Sequence, residues 1–173
     1  MRRRSKAAQA AYPAVLGALA VVLVYLASVA PTGSWGIVAA AGLLPAAAVI
    51  SVGLKAGLLC WAGASILSLL LAPSKFCAAL FAALFGLYPV VKSLAEGLRR
   101  PVVERLIKLA FFNAVFTALY LTLPAAMLGS LPEALGGSLW ALYPAANVVF
   151  AAYDYGFSKL IGLYIARVQR AVH

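Results

Sequence analysis

The chain has 173 residues, 65% of them hydrophobic and only 10% charged, with a mean hydropathy of +1.02. A soluble domain carries roughly a quarter charged residues, so this composition excludes a water-soluble globule and makes lipid the fitting solvent. The net charge of +10 does not imply nucleic acid as a partner, because the cations border apolar segments and form no separate basic domain; anionic lipid headgroups account for them.

The N-terminus carries Arg2, Arg3, Arg4 and Lys6 ahead of an apolar run that ends at Ala30. This run exceeds the roughly 7–15 residues of a signal-peptide core, and further apolar blocks follow at once, so it is expected to remain as a first span over 11–30. About 20 helical residues cross a hydrocarbon layer of roughly 30 Å. The next run, 35–72, is too long for one helix, and Lys55 between Gly53 and Gly57 marks a hairpin. Spans two and three are therefore expected at 35–53 and 56–72. Pro73, Ser74 and Lys75 precede a fourth span at 76–95, and a charged stretch from Glu96 to Arg100 leads through Pro101 to a fifth at 106–128. A polar turn at 129–137, holding Glu133, precedes a sixth span at 138–157, whose helix continues as a basic amphipathic end over 158–173. The expected fold class is all-α: a single polytopic transmembrane bundle of six spans over 1–173.

Six crossings sort the charges. Arg2, Arg3, Arg4, Lys6, Lys55, Lys92, Arg99, Arg100, Arg105, Lys108, Lys159, Arg167 and Arg170 fall on one side, leaving Lys75 alone on the other. The positive-inside rule then places both termini in the cytoplasm, with a bacterial inner membrane as the expected location. Trp35, Phe76 and Trp140 fall at the outer boundary, and Tyr12, Tyr155 and Tyr164 near the inner one. Cys60 and Cys77 sit at opposite depths, more than about 15 Å apart by helical rise, beyond disulfide reach; both are expected to be buried packing residues.

Ionisable and amide side chains inside spans are the candidate site, since each costs about 2.5–3.5 kcal/mol to insert at a helix centre. Asp154 is the one acid expected inside a span, and Lys92 lies at a similar depth in span four, so the two form a candidate ion pair. Tyr143, Asn147, Asp154 and Ser158 share one face of span six, beside a kink expected at Pro144. Asn113, Thr117 and Tyr120 share a face of span five, expected to meet span six or span four. Tyr88, Lys92 and Glu96 recur every four residues beside Pro89, but Lys before Glu is the weaker order for an intrahelical pair. Glu104 before Lys108 is the better order and reads as a surface pair. The candidate ligand or ion pathway is thus Lys92, Asn113, Asn147, Asp154, Tyr88 and Tyr143. The same side chains can instead be interhelical glue.

The single histidine is His173 at the end of the chain, so no metal-binding cluster, nucleophile–base pair or phosphate loop is expected, and neither an enzyme nor a cofactor is implied. The size, six spans, short loops and Ala/Gly-rich helices, with Ala10, Ala14 and Ala18 spaced by four on the first span, resemble the S components of energy-coupling-factor vitamin transporters. That resemblance implies a substrate-binding subunit energised by a partner module, with its substrate toward the outer side; the polar residues here lie toward the cytoplasm. The stretch 84–113, with Tyr88-Pro89, Lys92-Ser93, Glu96 and Lys108 to Asn113, also looks like small bacterial six-span membrane proteins of uncharacterised activity. Two functions follow as expectations: a small-molecule carrier or substrate-binding subunit lacking its own energy module, or a non-transporting scaffold that assembles with another membrane protein.

Overall fold

A computed structural model describes residues 6–98, 100–123 and 139–170. Arg2, Arg3, Arg4, Arg99, the turn at 129–137 with Glu133, the ends of the fifth and sixth expected spans that border it, and His173 lie outside the described residues. Among the described residues every element is helical: α1 (Lys6–Val29), α2 (Ser34–Ala41), α3 (Leu43–Val52), α4 (Leu54–Leu71), α5 (Lys75–Leu80), a π-helical turn (Phe81–Phe85), α6 (Tyr88–Gly97), α7 (Pro101–Thr122) and α8 (Leu139–Arg170). Among the described residues four stretches are long and apolar enough to cross a membrane: Ala11–Val29, Ser34–Val52, Leu54–Leu71 and Lys75–Gly97. They mark a helical membrane protein, and they match the first four expected spans to within two residues at each end.

The chain divides into two compact units, residues 1–108 and 109–173. In the first, α1 packs on α2, α3 and α4, and α3 packs on α4 and α6. Leu80, Phe81, Leu84, Phe85 and Tyr88 form a bulky buried patch on the fourth stretch; where α1 to α4 pack, the buried side chains are mostly small, among them Ala20, Ala27, Ala41, Ala48, Cys60 and Ala64, while large aliphatic ones such as Leu59, at 70% exposure, and Leu70 point outward. This arrangement reverses that of a soluble protein. Lipid tails satisfy leucine as well as a core does, so helix association gains mainly from small residues that let backbones approach. Cys60 and Cys77 are free thiols buried in this unit.

Two of the four stretches are interrupted. Gly42 divides α2 from α3, and Gly86-Leu87 follows the π-turn ahead of α6. Pro89, in the first turn of α6, has no N–H to offer the carbonyl of Phe85 four residues earlier. That carbonyl lies against Gly42, where an added Cβ would stand 2.5 Å from its oxygen. In the turn itself the Gly86 N–H reaches back five residues to the Phe81 carbonyl (2.7 Å). The Ala82 carbonyl, which an α-helix would have paired with Gly86, accepts instead from the Trp61 indole Nε1 of α4 (2.8 Å). The fourth apolar stretch, Lys75–Gly97, thus runs on through Pro89 with a wide turn inside it. Pro89 stands in the first turn of α6, and the carbonyl left over by the wide turn takes one donor from α4.

The hairpin between α3 and α4 turns at Gly53, whose φ of 116° suits a residue without Cβ. Lys75, the one cation expected on the outer side, has a local task. Its ammonium donates to the carbonyls of Leu69 (2.8 Å), Leu70 (3.3 Å) and Ala72 (3.1 Å) at the end of α4, satisfying orphan acceptors at the negative end of the helix dipole. Ser74 Oγ accepts from the Cys77 N–H and caps the start of α5. Trp35 and Phe76, expected at one depth, are in contact with ring centroids 5.8 Å apart.

In the second unit, α8 runs through Pro144 without a break in helix. The α7 and α8 faces meet through a Phe112–Phe150 stack (4.3 Å) and an edge contact of Phe116 with Tyr143 (5.4 Å).

Candidate functional site

The expected polar residues fall into two groups, one in each unit. The first is a chain of alternating charges on α6 and the start of α7. Lys92 Nζ lies 3.0 Å from Glu96 Oε1, and the same oxygen lies 3.2 Å from Lys108 Nζ, which also bonds Glu104. Both lysines are buried, their side chains only 4% and 6% exposed, whereas Glu96 is 48% and Glu104 26% exposed. The Lys92 ammonium also stands 5.9 Å from the ring centroid of Tyr88, which is fully buried.

This geometry corrects two expectations. The Lys92–Glu96 pair forms despite its less favourable order. The order effect is worth only a few tenths of a kcal/mol, whereas an unpaired ammonium held from water costs about several kcal/mol. Lys108 is not a surface residue: it is buried and joins Glu96 to Glu104 across the connection between α6 and α7. The sequence signal for Lys108 was its position, twelve residues after Glu96 across Pro101. A helix–turn–helix brings such positions together, but the turn geometry was not readable from residue types. With two positive and two negative groups, the cluster is formally neutral. It ties α6 to the start of α7.

The second group joins α7 to α8. The Asn113 and Asn147 amides exchange two hydrogen bonds, Asn113 Nδ2 to Asn147 Oδ1 at 2.9 Å and Asn147 Nδ2 to Asn113 Oδ1 at 3.0 Å. Each amide also donates to a carbonyl one turn earlier in its own helix, Leu109 and Tyr143. One turn along, the Thr117 and Tyr143 hydroxyls lie 2.8 Å apart, and Thr117 also donates to the Asn113 carbonyl. The polar stripe on α7 therefore faces α8 through Asn113 and Thr117. Four of the expected polar side chains of these two helices are each other's partners, partly buried beside the Phe112–Phe150 and Phe116–Tyr143 contacts. Asp154 lies two turns further along α8, half-buried, with its backbone carbonyl accepting from Ser158 Oγ (2.8 Å).

One concavity was not foreseen. A groove of about 650 Å³ runs between α1 and α4, lined among others by Gly17, Ala18, Cys60, Gly63 and Leu67, with Lys55 at one end. None of the six candidate site residues lines it. Its signal was present in the glycines and alanines of both helices, but small residues are too common in this chain for their spacing to single out one pair of helices. Among the described residues no three His, Cys, Asp or Glu side chains gather in a cluster fit for a metal ion. No known protein family, curated protein or solved structure matches the chain.

Proposed function

We propose that the chain is a six-span protein of the bacterial cytoplasmic membrane, with both termini inside, that serves as a non-transporting assembly partner of another membrane protein. α7 and α8 supply the fifth and sixth spans in this reading. The observation that carries it is the reciprocal Asn113–Asn147 pair with its Thr117–Tyr143 neighbour. Side chains that would have to face a pathway use their hydrogen-bonding capacity on one another, as interhelical glue does.

A second reading, a small-molecule carrier or substrate-binding subunit driven by a partner's energy module, draws support from the two buried lysines. Ionisable groups inside a span are functional candidates by default, and the resemblance to vitamin-transporter S components belongs with it. The readings separate in one experiment. The full-length chain is purified in mild detergent, denatured, and its extract searched by mass spectrometry for a retained small molecule. Lys92→Met, Asn147→Ala and Asp154→Asn are compared at matched protein levels. The assembly reading expects no retained metabolite, and substitutions that alter only the size of the native complex. A metabolite retained by the wild type and lost in these variants establishes the carrier reading instead.

A further inference from the structure

We propose that the groove between α1 and α4 holds one acyl chain of an anionic phospholipid, whose phosphate lies against Lys55. The groove follows α4 from Lys55 to Leu67, twelve residues or about 18 Å at 1.5 Å per residue. That is close to one leaflet, half of a hydrocarbon layer of roughly 30 Å. A partner helix crossing the membrane needs a track through both leaflets; a single lipid chain needs one.

The two ends of the groove differ as the two ends of a lipid do. Along its length the lining is apolar, with Gly17 of α1 close over the Cys60 backbone of α4, the side of Gly63 facing open space, and Leu59 and Leu67 among its walls. At its mouth stands Lys55, exposed, with no carboxylate partner among the described residues. Just beside the mouth the hydroxyls of Tyr12 and Ser51 lie 3.5 Å apart, at the level where headgroup oxygens would meet them. Lys55 is also the second residue of α4. Its charge sits at the end of the helix where the backbone dipole is already positive, an arrangement that an anion relieves and a neutral or cationic headgroup does not. The lining offers a cation and no acid, which selects phosphatidylglycerol over phosphatidylcholine.

Native mass spectrometry of the purified full-length chain tests this, with phosphatidylglycerol and phosphatidylcholine of matched chains, and with glycerol phosphate as a headgroup lacking a chain. One phosphatidylglycerol is expected to be retained per chain in preference to phosphatidylcholine, and glycerol phosphate is expected not to bind. Lys55→Gln should cut the preference about fivefold, the worth of a single lysine near an anionic headgroup, while phosphatidylcholine retention stays as it was. Gly63→Leu, which extends a side chain into the groove from a position with free space, should lower retention of both lipids. A phosphatidylglycerol carrying a photoreactive acyl chain supplies the reading that needs no variant, and its label is expected in residues 13–18 and 55–67. Equal retention of the two lipids by the wild type, unchanged retention in a folded Gly63→Leu, binding of glycerol phosphate alone, or a label placed elsewhere each overturns the proposal.

Discussion

Lys92 is held by Glu96, and the sharing of that carboxylate with Lys108 sets what each substitution does. Glu96→Gln takes the carboxylate charge 3.0 Å from a buried ammonium and is expected to destabilise the protein by about 1–3 kcal/mol. Lys92→Met removes the charge together with its need for a partner and is expected to cost less, because apolar replacement of a buried ionic group is often close to neutral. Denaturant titration followed by tryptophan fluorescence gives the order; a Lys92→Met more damaging to folding than Glu96→Gln contradicts the structural role. In the second unit Asn113→Ala and Asn147→Ala should each cost about 1 kcal/mol, with a coupling near 0.6 kcal/mol in the double-mutant cycle, the average for interhelical hydrogen bonds in a membrane. The residues of both groups were legible in the sequence, since polar side chains stand out in an apolar chain. Their partners were less so. Spacing paired Asn113 with a neighbouring span, but it could not show that Lys108 turns inward, because that depends on how the chain crosses from α6 to α7.

At the scale of elements, the membrane forces every interrupted helix to find new partners for its backbone, and the π-turn shows how this is met. Trp61 gives its indole N–H to the Ala82 carbonyl, and Gly42 makes room for the Phe85 carbonyl. Trp61→Phe keeps the ring and removes the donor, leaving a polar oxygen unsatisfied at a cost of about 1–3 kcal/mol. Gly42→Ala brings a methyl group against backbone rather than against a yielding side chain, so it is expected to abolish folding or lower the thermal midpoint by more than Trp61→Phe does. Thermal unfolding by circular dichroism ranks the two. The ends of the first four membrane-crossing stretches were legible because Gly, Pro and charged residues punctuate them. The interior breaks were only half legible. Pro89 announced an interruption, but the form it takes depends on which neighbouring helix can supply a donor, and that is a tertiary fact.

For the molecule as a whole, the charge pattern predicts a topology that reporter fusions can read. Fusions of green fluorescent protein at either terminus should fluoresce, and alkaline phosphatase inserted at residues 32–33 or 73–74 should be active. Inactive phosphatase at both sites overturns the orientation. Lys75 bears on this reading, since the one cation expected on the opposite side caps the end of α4, a structural reason for its place in the chain. All-helical architecture and four membrane-crossing stretches were legible from hydropathy alone. The α1–α4 groove was not, because it is made by the relative rotation of two helices whose small residues fit many pairings.

The reversal of side-chain size among α1 to α4, alanine within and leucine without, has a consequence for how these helices tolerate change. Their permissive positions are the large ones. Leu59 and Leu70 can drift among valine, isoleucine, phenylalanine and methionine without altering what the helices share. Ala20, Ala41 and Ala48 are fully buried, so added bulk there must displace a neighbouring group. The most constrained sites of these helices are therefore those that a volume-based search for a core would pass over.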